Sequence, residues 1–466
     1  MDTVIGNHSS ISGNKVEKQS LSIQIALPLL GFIVDLLVAG KLVDVNAFIA
    51  LAVIYIFSSF VVPNRDFFGL ILSSAIFCPI HYFGYTGFLG YVPLTMAVVL
   101  IASLRNVKFF AFQKMKSFYL ASFFVFAFSV LSGLLNNGGL AFLLVNSAMV
   151  SFVWILSPKL LSRFNALVEN KVSILIVAFS LGLVSVFEYF GQTNILGWYF
   201  AGSDLGLVQK WGGFRVLTVL GHPLVNGLVF AILGVIILIL LLERFSITVF
   251  STFLLVLYAL ALTTSRSGIV AFFAGAATVL VIRTIQRNLK IAPLLMLVSA
   301  ALVIASFINP NDLFGRFTTA ESASSNDYRF YIFTQVNKII GAKGLTGGGP
   351  LSSASTWNKI DPSGLPLENS ILQIISSQGP CLALLGFIGL LFAIRARYNQ
   401  GLVNASPVVI TYLVCSAGFN LYEAYPSMLL VLILAMSFVY KPADDLSDLL
   451  VGSTPSNHIN NGLEDD

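Results

Sequence analysis

The 466-residue chain has 57% hydrophobic and only 10% charged residues, and its mean hydropathy is +0.88. Soluble proteins average about 25% charged residues, so this composition excludes a soluble globular domain. The formal net charge of +5 does not indicate a nucleic-acid partner, because basic loops in a membrane protein mainly set its orientation. The composition predicts an all-α, polytopic integral membrane protein that contacts the lipid bilayer.

About 14 apolar runs are long enough, or nearly so, to cross the bilayer as helices. They occupy residues 21–40, 45–62, 67–83, 88–104, 117–134, 138–157, 172–190, 223–242, 247–264, 268–282, 291–308, 370–393, 407–421 and 426–440. Two are less secure, because the run 67–83 contains Pro79 and His81 and the run 268–282 is short. Without both of them the count is about 12, so the predicted range is 12–14.

These runs divide the chain into five parts. They are a cytoplasmic tail at 1–20, helices 1 to 11 within 21–308, a large extracytoplasmic loop at 309–369, helices 12 to 14 within 370–440, and an acidic cytoplasmic tail at 441–466. With both termini in the cytoplasm, most of the 26 Lys and Arg residues fall in inside loops, as the positive-inside rule requires. The loop 309–369 and the segment 191–222 then lie outside, where we expect the chemistry.

The loop 309–369 is too long for a simple connection, because loops beyond about 12–15 residues are usually functional or disordered. Its sequence predicts an amphipathic helix whose apolar members are Tyr328, Phe330, Ile332, Phe333, Val336, Ile339 and Ile340. A glycine cluster follows, which includes Gly347, Gly348 and Gly349. The cluster lacks the residue order of a phosphate-binding loop, so we expect tight turns with positive φ. The whole loop is predicted to fold over an outward-facing cavity.

Arg266 lies between two apolar runs with almost no loop between them. It is either an interfacial anchor or part of an anion site, since a guanidinium binds phosphate oxygens in pairs. The helix that follows would begin at Ser267-Gly268 with its N–H groups exposed to an anion. Arg215 and Arg329 belong to the same outer side. The three arginines either converge on one multiply charged group or are, in part, solvated surface charges.

Two further residues are candidates for proton transfer. His222 precedes Pro223 and is either a helix cap or a catalytic group, because proline is common at the first position of a helix. Glu368 opens a helix and is either a favourable charge at the helix N-terminus or a general base. Other acidic residues near the outer side are Asp35, Glu188, Asp204, Asp327 and Glu423. Small residues around Asn226 and Gly227 are expected to let helices pack closely. The three cysteines lie inside apolar runs, so neither a metal site nor a disulfide framework is predicted.

A family resemblance rests on Arg215, Gly221-His222-Pro223, Thr264-Ser265-Arg266-Ser267-Gly268, Arg329, the glycine cluster, Glu368-Asn369 and Gly379. In this order and placement they resemble the O-antigen ligase and polymerase superfamily, over roughly residues 200–395. The resemblance implies a multi-pass glycosyltransferase of the bacterial inner membrane. Such an enzyme transfers a glycan from undecaprenyl diphosphate and uses neither a metal nor a nucleotide cofactor.

By the same resemblance, Arg266, Arg215 and Arg329 would bind the lipid-linked diphosphate, and Glu368 would activate the acceptor hydroxyl. The ligase branch usually has a histidine where this chain has Glu368, which favours a polymerase of the Wzy type. Its product would be an O-antigen, a capsule or an exopolysaccharide, and its expected partners are a chain-length regulator and a flippase. Two alternatives stay open, namely a ligase that transfers finished glycan and a lipid-linked-glycan flippase or transporter.

Overall fold

The computed structural model describes residues 8–44, 46–63, 66–78, 170–198, 214–285, 320–349, 352–362, 367–381 and 406–419, with the isolated positions 98, 101, 298, 383, 384 and 388. Within these ranges the regular structure is helical and no strand occurs. The predicted all-α class is therefore confirmed for the described part of the chain.

The α-helices of these ranges are α1 (His8–Ala39), α2 (Ala47–Val61), α3 (Phe67–Phe77), α4 (Lys171–Gly191), α5 (Pro223–Glu243), α6 (Ile247–Leu262), α7 (Arg266–Ile285), α8 (Ala320–Thr334), α9 (Val336–Lys343), α10 (Ser353–Ile360), α11 (Ser370–Gln378) and α12 (Ser406–Ala417). Short 3-10 turns occur at Thr218–Leu220 and Gly344–Thr346. Helix α1 begins within the polar segment that precedes the first apolar run.

Four described helices are long and apolar enough to cross a membrane, namely Leu21–Ala39 within α1, α4, α5 and α7. Helices α2, α3, α6 and α12 are apolar but shorter. Helix α7 has 20 residues, so the run predicted at 268–282 is long enough to span. The runs predicted at 88–104, 117–134, 138–157, 291–308 and 426–440 lie almost wholly outside the described residues, and the count of about 14 stays a prediction.

The structure corrects three predicted helices. The run 370–393 is not one helix, because α11 ends at Gln378 and Gly379 has a φ of 85°. Residues other than glycine rarely adopt this backbone conformation. Helix α3 ends before Pro79, because a proline ring disfavours helical backbone in the residue that precedes it. The amphipathic helix of the loop is two helices, α8 and α9, separated at Gln335.

Helix α5 is the centre of the bundle and packs against α4, α6, α7 and α12. It is apolar on every side, and nearly all of its side chains are buried, as expected for a helix without a polar face. Small residues allow this close packing. A side chain at Gly234 would meet the ring of Phe272 at 3.1 Å, and one at Gly275 would collide with Thr411 of α12.

Helices α1, α3 and α4 form a second group that polar side chains connect. Gln24 of α1 donates to Asp66 at 2.7 Å, just before α3. Ser173 of α4 donates to the carbonyl of Gln24 at 2.9 Å, and Asn170 accepts the N–H of Gly69 at 2.9 Å. Because buried polar groups need such partners, these contacts specify how the three helices meet.

The loop helices form a small cluster of their own with the start of α11. Its buried apolar residues are Ile332, Ile339, Trp357, Leu367 and Leu372. The predicted amphipathic pattern is therefore correct for Ile332 and Ile339. It is wrong for Phe330 and Phe333, which are 78% and 52% exposed, because they lie about 200° and about 100° around helix α8 from the buried Ile332.

Candidate active site

The candidate site lies at one end of the helix bundle, where α5 and α7 begin and α4 and α12 end. We refer to this end as the site end. Gly227 and Gly268 bring the first turns of α5 and α7 into backbone contact, since a Cβ on Gly268 would lie 2.8 Å from the carbonyl oxygen of Gly227. A Cβ on Gly418, just after α12, would lie 3.2 Å from Ser267. The expected close packing at Gly227 is confirmed.

The turn before Arg266 is built by hydroxyl groups. Thr263 donates to the carbonyl of Leu260 at 2.7 Å and accepts the N–H of Ser265 at 3.2 Å. Thr264 has a φ of 53°, which is uncommon for a residue with a branched Cβ. Ser265 then accepts the N–H of Gly268 at 3.2 Å, in the manner of an N-cap. The motif therefore encodes an abrupt reversal from α6 into α7.

Arg266 is the first residue of α7 and is partly exposed. A positive side chain is electrostatically unfavourable at a helix N-terminus, where the macrodipole disfavours it by about 0.3–1 kcal/mol. An anion at this position would be attracted by both the guanidinium and the helix end. The anion-site interpretation therefore stays a prediction beside that of an interfacial anchor.

His222 is the N-cap of α5, with Pro223 at the first helical position, so the cap interpretation is confirmed. Its Nδ1 accepts the N–H of Leu224 at 3.2 Å, and its ring stacks on Phe419 with centroids 5.2 Å apart. Burial, and then the positive charge of Arg215, lower the pKa of His222 from 6.5 to about 4. The ring is therefore neutral near pH 7 with its proton on Nε2, and at that atom it is a donor rather than a base.

Arg215 lies in an extended segment before the 3-10 turn Thr218–Leu220. Its carbonyl accepts the side-chain amide of Asn194 at 3.2 Å, and its charge acts on the neighbouring His222. The structure thus brings these two predicted residues together, although they belong to different elements.

Two buried polar residues hold this segment, and sequence reasoning did not assign them that role. Glu188 of α4 is fully buried, and its carboxylate accepts the backbone N–H groups of Leu217 and Thr218 at 2.8 and 3.0 Å. Asn226 of α5 donates to the carbonyls of Val216 and Leu217. Asn226 is therefore a hydrogen-bonding residue and not a small residue for helix packing. Of the other acids considered, Asp35 is buried within α1, Asp327 is exposed, and Asp204 and Glu423 lie outside the described residues.

The start of α11 is tied to the end of α12. Asn369 is the N-cap of α11 and accepts the N–H of Leu372 at 3.0 Å, while its amide donates to the carbonyl of Ala417 at 2.8 Å. Ser370 donates to the carbonyl of Phe419 at 2.7 Å. Sequence reasoning did not predict that Asn369 and Ser370 bind the end of α12, although an asparagine before an apolar run is a recognisable cap signal.

Arg329 of α8 and Glu368 form an ion pair with 3.3 Å between the guanidinium and the carboxylate. The two side chains are 26% and 29% exposed, so both are accessible to a solute. The predicted base and one predicted diphosphate ligand therefore face each other.

Successive contacts connect all five predicted side chains at the site end. The charge of Arg215 acts on His222, and the His222 ring stacks on Phe419. The carbonyl of Phe419 accepts the hydroxyl of Ser370. Ser370 lies two residues after Glu368, which pairs with Arg329. Arg266 joins through its neighbour Ser267, which approaches Cys415 of α12 at 4.0 Å.

The loop glycines lie at the other end of α11. The N–H groups of Gly348 and Gly349 donate to the carbonyls of Ser376 and Ser377 at 2.9 and 2.8 Å. Gly347 and Gly349 have φ values of 71° and 90°, which confirms the predicted turns. Helix α11 is about 13 Å long at 1.5 Å per residue, so these glycines shape the loop and do not contact Glu368. The described residues include no group of three His, Cys, Asp or Glu side chains arranged to hold a metal ion.

The described part of the chain is helical and includes four helices of membrane-spanning length and composition, which indicates a multi-pass membrane protein. Residues 251–377 match a family model described as O-antigen ligase. The matched region includes the Arg266 turn, α7, the large loop and most of α11, and it confirms the resemblance to the O-antigen ligase and polymerase superfamily there. Arg215 and His222 precede it. No curated protein and no solved structure matches the chain.

Proposed function

We propose that the protein is an inner-membrane glycosyltransferase that polymerises undecaprenyl-diphosphate-linked repeat units into an O-antigen, a capsule or an exopolysaccharide. The observation that carries the proposal is the position of Arg266, at a helix N-terminus within the family-matched region and at the same end of the bundle as the Arg329–Glu368 pair. In this proposal the site end faces away from the cytoplasm, both termini are cytoplasmic, and a flippase and a chain-length regulator act with the enzyme.

The arginines suit the leaving group of this reaction. When the bond between the sugar C1 and the phosphate oxygen breaks, its electron pair stays on the diphosphate, which becomes more negative. Guanidinium groups held in place stabilise that charge as it develops, and their planar fork matches phosphate oxygens better than a lysine does. Arg266 is the principal ligand in this proposal, and Arg215 and Arg329 contribute from either side.

Glu368 takes the proton of the acceptor hydroxyl while the hydroxyl oxygen forms the new bond to C1. In the structure Arg329 neutralises this carboxylate at 3.3 Å. A diphosphate that binds Arg329 competes with Glu368 for the guanidinium, and the released carboxylate becomes free to accept a proton. Donor binding and base activation are then one event, so Glu368 stays paired with Arg329 until a donor is bound.

His222 supports the site differently from Glu368. Because Nδ1 accepts from Leu224, the ring proton lies on Nε2, and an Nε2–H donor suits a phosphate or sugar oxygen. The catalytic role of His222 in this proposal is therefore a hydrogen bond to substrate and not proton abstraction.

A ligase that transfers finished glycan to another acceptor is the second candidate, because the matching family model carries that description. The same arginines would serve its leaving group equally well. The distinguishing feature is Glu368, which stands where the ligase branch usually has a histidine.

Deleting the gene and examining both surface polysaccharide and lipid-linked intermediates tests the proposal. Single lipid-linked repeat units that accumulate outside, without long chains, would support a polymerase. Long chains left on the carrier lipid would instead establish a ligase, and repeat units held on the cytoplasmic side would establish a flippase and remove the arginines from any catalytic role. Complementation with the wild-type gene is the control for each outcome.

A further inference from the structure

Glu188 is an unusual carboxylate for a membrane-spanning helix, because it is fully buried and yet completely hydrogen-bonded. It lies in the last turn of α4, and its Oε1 accepts the N–H of Ile195 at 2.9 Å. Its Oε2 accepts the N–H groups of Leu217 and Thr218 at 2.8 and 3.0 Å and the side-chain amide of Asn194 at 3.1 Å. Ionisable groups inside membrane helices are costly to bury and usually functional.

These hydrogen bonds converge on the backbone around Arg215. Leu217 and Thr218 follow Arg215 directly, and the amide of Asn194 that binds Glu188 also donates to the carbonyl of Arg215 at 3.2 Å. The carboxylate therefore holds the backbone that follows Arg215, and the Asn194 amide that it binds holds the carbonyl of Arg215 itself.

Asn226 holds the same segment from α5. Its amide donates to the carbonyls of Val216 and Leu217, and its carbonyl oxygen accepts the hydroxyl of Thr218. Thr218 has a φ of 46°, a strained conformation for a threonine that persists only where the surroundings over-determine it. The segment is thus fixed between two membrane helices in a shape that it would not adopt alone.

We propose that Glu188, with Asn226, is a positioning residue that sets Arg215 against His222 at the site end. The inference rests on the proposed function, in which Arg215 binds the lipid-linked diphosphate. Glu188, Asn226, Arg215 and His222 all precede the matched region 251–377. A misplacement of about 1 Å in such a group is enough to lower a rate a hundredfold.

The test uses the full-length protein in lipid nanodiscs, with undecaprenyl-diphosphate-linked repeat units as the donor. In Glu188→Gln, at least one N–H donor faces an amide NH₂ instead of an oxygen, so we expect kcat/KM to fall by about tenfold or more. The matched control is Ser185→Ala. Ser185 is a buried residue of the same helix whose hydroxyl donates only to the carbonyl of Leu181, and its loss should leave kcat/KM unchanged.

A double-mutant cycle separates positioning from a general structural role. In an Arg215→Ala background, adding Glu188→Gln should change kcat/KM by less than about twofold, because groups that act as a unit give non-additive losses. If the two losses multiply instead, Glu188 does not act through Arg215 and the inference is overturned. If Glu188→Gln unfolds the protein, Asn226→Asp decides in its place, since it keeps the oxygen that accepts from Thr218 and loses the amide donor.

Binding of undecaprenyl diphosphate itself, measured by thermal shift, keeps the inference distinct from the proposed function. A wild-type protein that neither binds this lipid nor transfers its glycan contradicts the proposed function and, with it, the inference. A wild-type protein that does both, with Glu188→Gln indistinguishable from Ser185→Ala, contradicts the inference alone.

Discussion

The two sides of the site end hold their charges in opposite ways. On one side Arg215 and His222 are fixed by buried hydrogen bonds from α4 and α5. On the other, Arg329 and Glu368 are held by one partly exposed ion pair at 3.3 Å. Exposed pairs contribute only about 0–1 kcal/mol, so the second side can exchange partners at little cost while the first cannot. We infer that one side presents a fixed surface and the other responds to substrate.

Arg266 opens α7 at the same end of the bundle, and its loss should have the largest effect. We expect Arg266→Ala to lower activity by about 10²–10³-fold, the range for removing one preorganised donor to a developing negative charge. Arg266→Lys should recover little, because an ammonium cannot bind two oxygens in the plane of a fork. Surface polysaccharide from complemented deletion strains is the readout, with protein level in the membrane as the control. An active Arg266→Ala protein would remove this residue from the site.

Glu368→Gln tests the responsive side. The loss of a general base should lower kcat by about 10², while removal of the competing charge should let Arg329 bind the diphosphate more tightly. Donor binding and turnover are measured on the same nanodisc sample. A fall in both would contradict the exchange of partners, and the free energy of unfolding should change by less than about 1 kcal/mol because the pair is partly exposed.

Gly268→Ala tests whether the backbone contact between α5 and α7 matters. The new Cβ would lie 2.8 Å from the carbonyl oxygen of Gly227, and backbone cannot swing aside as a side chain does. We expect a loss of roughly 1–3 kcal/mol in stability, read from thermal unfolding in nanodiscs. The matched control is Gly341→Ala, where nothing lies within 4 Å. Equal unfolding temperatures for the two variants would show that the contact is unimportant.

Acid should destabilise the fixed side slightly through His222. Its pKa is about 4 in the folded protein against 6.5 for an unperturbed histidine, so the unfolded chain binds more protons between these values. The stability that neutral His222 provides is complete above pH 6.5 and is lost as the pH falls towards 4. Between pH 6.5 and 5.5 the loss is about 1 kcal/mol. His222→Asn keeps a cap residue and should abolish this part of the slope; an unchanged slope would contradict the assigned pKa.

Much of the site end could be predicted because its signals are local. Pro223 after a cap residue marks the start of α5, and the placement of Arg266 between two apolar runs marks the reversal into α7. The expectation that the three arginines share one side of the membrane came from orientation alone, since loops on one side of a membrane share one face, and it stays a prediction.

The remaining features depend on partners distant in the chain. Glu188 binds Leu217 and Thr218 across 29 and 30 residues, and no local pattern announces such a pair. The end of α11 was missed although Ser376-Ser377-Gln378-Gly379-Pro380 interrupts the apolar run with polar residues and a Gly-Pro pair, which is a recognised turn signal.

Helix α11 is secured at both ends, by Asn369 and Ser370 to the end of α12 and by Gly348 and Gly349 to its last turn. The number of residues in α11 therefore sets the separation and the relative rotation of the glycine turn and the Arg329–Glu368 pair. Each residue of an α-helix advances it by about 100°. Adding or removing a single residue within α11 would turn Glu368 about a third of the way around the axis from Arg329, and would do so without changing the chemistry of any site residue.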